Sequence, residues 1–463
     1  MSREDPIKAE KDFSETLEEQ IPLIDKTSDY KQAIEKYLVL EKQIRQSSDL
    51  ASSKKILSKI VETLVHNDDW DYLDELITPL SKKHGQLKSS IQSMIQEIIK
   101  SLETLDNDKP VQLEKKMKII ETIRTVTDKK IFVEVERAVV SKMLAEIYLE
   151  KKNDLDKAAD ILCDLQVETY SLMPFEEKIE YILEQIRLTL QKKDFAQAKI
   201  LSRKILLKTL KNFERADIFK ATYLKYLLEI NKHENDYIMV VNNSLLLIEI
   251  PLVKESSEYK DLLVSIIYYI ILSPFDNLQS DLIHKIKLNT AFSKNVDSKV
   301  FKLLEIFTTN ELIHSENIEM EYRENYLNKS PVFADNETNN TNLQNRIIEH
   351  NLRVINMYYS FIKLDRLAHL LQVSSQDAEA HVSGMVNKGM ITAKINRPQG
   401  IIKFDNLKHG TSAGAAQITS NSENINDLLN NWISDVDKLL EEVDSIGHLI
   451  NKEEMMYGIK QNS

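Results

Sequence analysis

Residues 361–404 read FIKLDRLAHLLQVSSQDAEAHVSGMVNKGMITAKINRPQGIIKF. Phe361, Leu364, Leu367 and Leu371 share one helix face by their three- and four-residue spacing. The turn QVSS follows, and Ser374 with Asp377 has the spacing of a capping box. A second helix then carries Ala378, Val382, Met385 and Val386 and stops at Gly389, a residue suited to the left-handed position that ends helices. Beyond it the period changes from 3.6 to 2. Ile391, Ala393 and Ile395 alternate with polar residues, residues 396–400 (NRPQG) supply a turn, and Ile401, Ile402 and Phe404 return as a second strand. Helix, turn, helix and hairpin make a winged helix.

Upstream, residues 29–315 read as helix after helix, with apolar residues at helical spacing, as in Ile56, Ile60 and Leu64. A pattern recurs within them: an aspartate, a large apolar or aromatic residue, and a small or apolar residue three places further on. It occurs as Asp29-Tyr30 with Ala33, Asp69-Trp70 with Leu73, and Asp154-Leu155 with Ala158. It returns as Asp194-Phe195 with Ala198 and Asp236-Tyr237 with Val240, and Asp276 falls a further 40 residues on. The aspartates at 29 and 69, and those at 154 and 194, are 40 residues apart. An aspartate there caps the second helix of a pair by accepting free backbone N–H groups. A period near 40 belongs to stacked helical pairs, so a mainly α fold is expected: an α-solenoid of TPR-like repeats running into the winged helix. Scarce Gly (8) and Pro (9) fit, because a β-rich chain of 463 residues would need more turn formers.

The remaining segments are simpler. Residues 1–28 are expected to be an acidic flexible tail, without the apolar core of a signal peptide. Residues 332–342 (VFADNETNNTN) interrupt the periodicity as a polar loop, and a helix resumes at Leu343. Residues 316–405 thus close the helical array with the winged helix at about 343–405, and 406–424 is a polar linker. Over 425–460 one helix is expected. Ile425, Leu429, Trp432, Val436, Leu439, Val443, Ile446 and Ile450 are spaced alternately by four and three, an a/d seam of nearly four heptads. Leu428, Ile433, Leu440 and Leu449 widen it, which suits a multi-helix bundle better than a two-stranded coil.

Several chemistries are disfavoured. The net charge of −12 repels phosphate backbones, and cations are interleaved with acids. The second helix of the winged unit carries Asp377 and Glu379 against Lys388, and the wing offers Arg397, a poor set for reading base edges. One cysteine, Cys163, excludes an intrachain disulfide and suits a reducing compartment; it lies in an apolar helix as a small core residue. The longest apolar run, 262–272, is about half of the ~20 residues needed to span a bilayer, so a buried helix is expected. The ten histidines show no zinc spacing, and Gly384 and Gly389 lack the lysine of a phosphate loop. No catalytic residue, cofactor or metal site is expected.

A helical array running into a winged helix is the arrangement of PCI proteins, subunits of the proteasome lid, the signalosome and a translation initiation factor complex. Residues 364–404 closely resemble the PCI winged helix. Narrower segments resemble subunits of the proteasome regulatory-particle lid: LQVETY (165–170), IEYILEQIRL (179–188), SPFDNLQSDLIHKI (273–286), LEIFTTNEL (304–312), IIEHNLRV (347–354), LLNNW (428–432) and HLINKEEMM (448–456). The resemblance implies a non-catalytic scaffold in the cytoplasm and nucleus. It implies a hetero-oligomer with other PCI and metalloprotease-type lid subunits, near the ATPase ring and the protease core, and neither nucleic acid nor membrane as partner. It also implies that winged helices join edge to edge and that C-terminal helices gather in one bundle. The expected contact residues are therefore the seam from Ile425 to Ile450 and, in the wing, Ile391, Ala393, Ile395, Ile401 and Phe404. A paralogous PCI complex, a nucleic-acid-binding regulator and a freestanding peptide-gripping repeat adaptor are the alternatives.

Overall fold

The computed structural model describes residues 13–25, 30–47, 49–83, 85–105, 109–211, 215–334, 337–404 and 422–462. The chain divides into two compact units, Met1–Tyr259 and Lys260–Ser463.

The first unit is a run of paired helices. It opens with α1 (Ser14–Asp25), α2 (Tyr30–Ser47), α3 (Leu50–His66), α4 (Trp70–Lys82), α5 (Lys88–Glu103) and α6 (Pro110–Thr127). It continues with α7 (Glu134–Ile147), α8 (Leu155–Cys163), α9 (Phe175–Gln191), α10 (Phe195–Ser202), α11 (Ala216–Glu234), α12 (Tyr237–Glu249) and α13 (Pro251–Lys254). Packing is between near neighbours in sequence: α3 on α5, α4 on α6, α9 on α10 and α11, α11 on α12. Each pair buries its apolar face on the next, which is how a solenoid extends its core. Helix α1 departs from the expected loose tail. Leu17 and Ile24 are buried and Ile21 packs beside them, so this acidic segment is amphipathic rather than unstructured. Residues 1–12 and 26–29, including the first repeat aspartate Asp29, lie outside the described residues.

The other repeat aspartates do what their spacing predicts. The carboxylates of Asp69, Asp154, Asp194 and Asp236 accept the backbone N–H of Tyr72, Lys157, Gln197 and Met239 at 3.2, 3.2, 3.1 and 3.3 Å. Trp70 and Tyr237 behind them are buried, as are Ala158, Ala198 and Val240. The residue before each aspartate is left-handed: Asp68, Asn153, Lys193 and Asn235 have φ of 54°, 51°, 63° and 58°. The aspartate's own N–H then donates back into the preceding helix, as from Asp69 to Leu64 O (3.2 Å) and from Asp194 to Thr189 O (3.0 Å). One residue ends a helix and the next starts another, so the turn within each pair is as short as the backbone permits. Asp276 stands outside this series. It accepts the N–H of the adjacent Asn277 at 2.7 Å, from an extended backbone. Asp194→Ala is expected to cost about 1 kcal/mol. Lys193→Asn, which relieves a lysine in the left-handed region, is expected to return part of it. Thermal unfolding of the two single variants and the double checks both signs.

The second unit begins with α14 (Tyr259–Leu272), the long apolar run, whose Ile266, Ile267, Ile270 and Leu272 are buried. Among the described residues no helix is long and apolar enough to cross a membrane. Then come α15 (Asn277–Leu288), α16 (Thr290–Asn295), α17 (Ser298–Thr308), α18 (Ser315–Ile318) and a π-helical stretch, Glu319–Leu327. Helix α19 (Glu337–Tyr358) starts six residues before the expected Leu343. Its first turns are polar because Asn339 is buried for a purpose: its carboxamide donates to Val332 O at 2.7 Å and anchors the preceding turn.

The winged helix follows: β1 (Phe361–Lys363), α20 (Leu364–Leu371), α21 (Ser375–Asn387), β2 (Ala393–Asn396) and β3 (Ile401–Phe404). The Ser374 hydroxyl accepts Asp377 N–H at 3.2 Å and donates to the Asp377 carboxylate at 2.7 Å, so the cap is real. Gly389 has φ +70°, with its N–H on Val386 O and that of Met390 on Met385 O. One correction matters. Residues 361–363 are not the start of a helix but a strand, paired antiparallel with β3, and the sheet has three strands in the order β1-β3-β2. The spacing of Phe361 to Leu364 mimics a helix turn, but Ile362 is held against Ile402, 40 residues away. The chain closes with α22 (Ser422–Asn462); residues 405–421, most of the expected linker, lie outside the described residues.

Candidate interaction surfaces

Three arrangements in the second unit stand out. The first is a polar latch on α19. Four consecutive residues, Glu349, His350, Asn351 and Leu352, are buried, although three are polar. The Asn351 carboxamide accepts Ile313 N–H at 2.7 Å and donates to Ile313 O at 2.8 Å, pairing with the backbone as a strand would. His350 Nε2 lies 3.1 Å from Glu311 O. Burial, with the neighbouring Arg353 charge, lowers the His350 pKa to about 4, so the ring is neutral near pH 7. A carbonyl can only accept, so Nε2 carries the proton. Burial also lowers Arg353 to about 10, and its guanidinium lies 3.5 Å from the centre of the Phe275 ring. Glu349 pairs with Arg346 on its own helix and with Lys388 at 3.3 Å, which ties the end of α21 to α19. Sequence reading placed a helix through this segment and used its resemblance, but missed the latch. The signal available was a polar run across the apolar face of a helix.

The second arrangement is the sheet. Phe404 N–H donates to Ser360 O at 2.9 Å and Leu364 N–H to Gly400 O at 2.8 Å. Even-numbered residues of β3 therefore bond β1, and Ile401 and Lys403 bond β2 at Asn396 and Lys394. That leaves the backbone groups of Ala393 and Ile395 at the outer edge of β2, an edge open to strand addition. The expected wing residues divide accordingly. Ile391 and Phe404 are buried core, Ile401 sits on the central strand, and Ala393 and Ile395 alone belong to an edge. The other edge strand, β1, presents Phe361, 61% exposed, with Lys403 Nζ 5.7 Å above its ring. Sequence reading missed this second edge. The wing's Arg397 pairs with Glu379 of α21 at 2.6 Å.

The third is α22, a helix of 41 residues and thus roughly 60 Å long. Every described seam side chain is exposed, from Val436 at 40% to Trp432 at 66%, and Leu429, Leu439, Val443, Ile446 and Ile450 lie between. The backbone of Ile425 is helical; its side chain is outside the described residues. Cys163, in the first unit, is half-buried, and burial pushes its thiol up to about 11, an unreactive environment. Among the described residues no group of three His, Cys, Asp or Glu could hold a metal ion.

The helical array, the segment that holds the latch and the sheet, and α22 each match a known sequence family. Residues 32–256 match the family described as PSMD12/CSN4, N-terminal, and residues 320–406 match the PCI domain. Residues 426–458, nearly all of α22, match the 26S proteasome regulatory subunit RPN5 C-terminal domain. The 26S proteasome regulatory subunit RPN5 of Saccharomyces cerevisiae is 46% identical over 99% of this chain and 100% of its own length. The chain belongs to the Rpn5/PSMD12 family. Subunit rpn501 of Schizosaccharomyces pombe is 35% identical over 98% of each chain. The 26S proteasome non-ATPase regulatory subunit 12 homolog B of Arabidopsis thaliana is 34% identical over 92% of this chain and 97% of its own. The description of the N-terminal match carries two names, PSMD12 and CSN4. The description of the C-terminal match names RPN5 alone.

Proposed function

We propose that this chain is a non-catalytic scaffold subunit of the lid of the proteasome regulatory particle. In ubiquitin-dependent degradation, in the cytoplasm and nucleus, it supports lid assembly and the positioning of the deubiquitinase. Its partners are other PCI and metalloprotease-type lid subunits, with the ATPase ring and protease core nearby. The observation that carries this reading is α22, whose described seam side chains, Leu429 to Ile450, are all left in solvent by its own chain. A helix with a wide apolar stripe draws most of its stability from burying that stripe against partners. The open β2 edge is a second contact, one that needs backbone rather than side-chain recognition.

The test is native mass spectrometry of the complex recovered with an affinity-tagged copy. Near-stoichiometric helical-repeat and metalloprotease-type subunits with ATPases are expected; recovery of the chain alone or with nucleic acid would sink the reading. The edge is tested separately. Ala393→Pro removes an outward N–H at the first residue of β2, where proline is tolerated, so the isolated chain keeps its stability within about 1 kcal/mol. Incorporation into the lid is expected to fall. Lys394→Pro, which removes a bond to β3, is expected to disrupt the sheet itself.

A further inference from the structure

The charges around the α22 stripe say what kind of helix covers it. With Leu429, Val436, Val443 and Ile450 at heptad position a and Trp432, Leu439 and Ile446 at d, position e holds Ile433, Leu440 and Gly447. The apolar face is thus a/d/e through the middle of the helix. On one side it is bounded at g by Asp435 and Glu442, and on the other at b by Asp437 and Asp444. Over residues 435–444 both rims are acidic; beyond them g holds Leu449 and b holds Asn451. The only lysines among the described side chains of α22, Lys438 and Lys452, fall at c, on the back. Asp435 reaches Lys438 at 3.7 Å with both side chains at least 70% exposed, a weak pair along the helix surface. Two rows of carboxylates beside a seam that becomes buried disfavour any partner that is neutral or acidic at its flanks. A second copy in antiparallel register would set Asp435 and Glu442 against their own kind.

Gly447 adds a position. It lies inside a helix, where glycine costs about 1 kcal/mol relative to alanine. A Cβ added there would meet nothing within 4 Å, so nothing in this chain requires glycine. A missing side chain beside Val443, Ile446 and Ile450 lets another backbone approach closely.

We propose that the helices covering α22 carry Lys or Arg at the positions flanking their own apolar seams, and that one of them crosses α22 at Gly447. This rests on the reading that α22 joins a multi-helix bundle of the lid.

The experiment uses full-length variants co-expressed with the other lid subunits in competition with the wild-type chain, incorporation being read by native mass spectrometry. Each rim is reversed in turn, as Asp435→Lys/Glu442→Lys and Asp437→Lys/Asp444→Lys. Each reversal replaces two attractions by two repulsions, and incorporation is expected to fall about tenfold or more. Lys438→Glu/Lys452→Glu on the back is expected to stay within about twofold. Gly447→Leu is expected to fall about tenfold by blocking the close crossing. Circular dichroism of each isolated chain verifies that helicity is kept. Trp432→Ala/Val436→Asp serves as the seam control. If the control fails to assemble while the rim reversals assemble like wild type, the basic-flank proposal is overturned and the bundle reading stands. If the control itself assembles normally, the bundle reading falls. Normal assembly of Gly447→Leu overturns the crossing point. A wild-type chain that sediments alone as a dimer, dissociated by the seam variant, makes a second copy the occupant and overturns the proposal.

Discussion

Trp432→Ala/Val436→Asp is expected to abolish stable incorporation into the lid while leaving the isolated chain folded. Both side chains are solvent-facing in the chain by itself, so removing them leaves no cavity and strands no partner. The circular dichroism spectrum and melting temperature of the monomer should therefore hardly move. In the proposed bundle the same positions are central to the seam. Truncating a buried tryptophan at an interface costs about 2 kcal/mol or more, and a carboxylate in an apolar seam adds at least as much. A total of about 4 kcal/mol corresponds to about a thousandfold in affinity. Co-purification with a tagged lid subunit measures it. Normal recovery of the double variant would show that α22 is covered some other way.

Asn351→Leu should act in the opposite manner, on the chain itself. The substitution is close in volume but leaves the Ile313 N–H and C=O without their partners, at a site where Ile313 and Asn351 are both buried. An unsatisfied buried backbone group costs about 1–3 kcal/mol, so roughly 3 kcal/mol is expected for the two together. Because the chain has two compact units, a single unfolding transition is not assured. Peptide-resolved hydrogen exchange is the suitable measurement. Loss of protection should centre on residues 309–358 and spare the paired helices of the first unit. Exchange indistinguishable from wild type would mean that the carboxamide bonds are not what holds the 311–313 segment.

The features that sequence reading recovered are those whose causes lie within a few residues. Asp69, Asp154, Asp194 and Asp236 announce helix starts because a capping carboxylate bonds an N–H three residues on. Ser374 and Gly389 bracket α21 for the same local reason. The α22 seam is legible because an exposed helix obeys its own period with nothing to override it. Features with distant causes were misread. Phe361, Ile362 and Lys363 keep helical spacing with Leu364, yet β3 recruits them into the sheet. The tail around Leu17 looked too acidic to order, because its few apolar residues gain only when α2 and α3 supply a surface. Ile391 and Phe404, expected as contact residues, are turned inward by the sheet.

Sequence alone thus determined the helical repeat, the winged-helix order of elements and the long terminal seam, since capping, period and turn chemistry act over distances shorter than one helix. Tertiary structure alone decided that the wing has three strands, that its open edges are β1 and β2, and that Glu349, His350 and Asn351 latch α19 to the segments packed on it. Those outcomes depend on hydrogen bonds between residues about 40 positions apart, as between Ile362 and Ile402 or Asn351 and Ile313. A backbone group in a buried setting must find a partner wherever the fold brings one, and no local pattern records which partner that is.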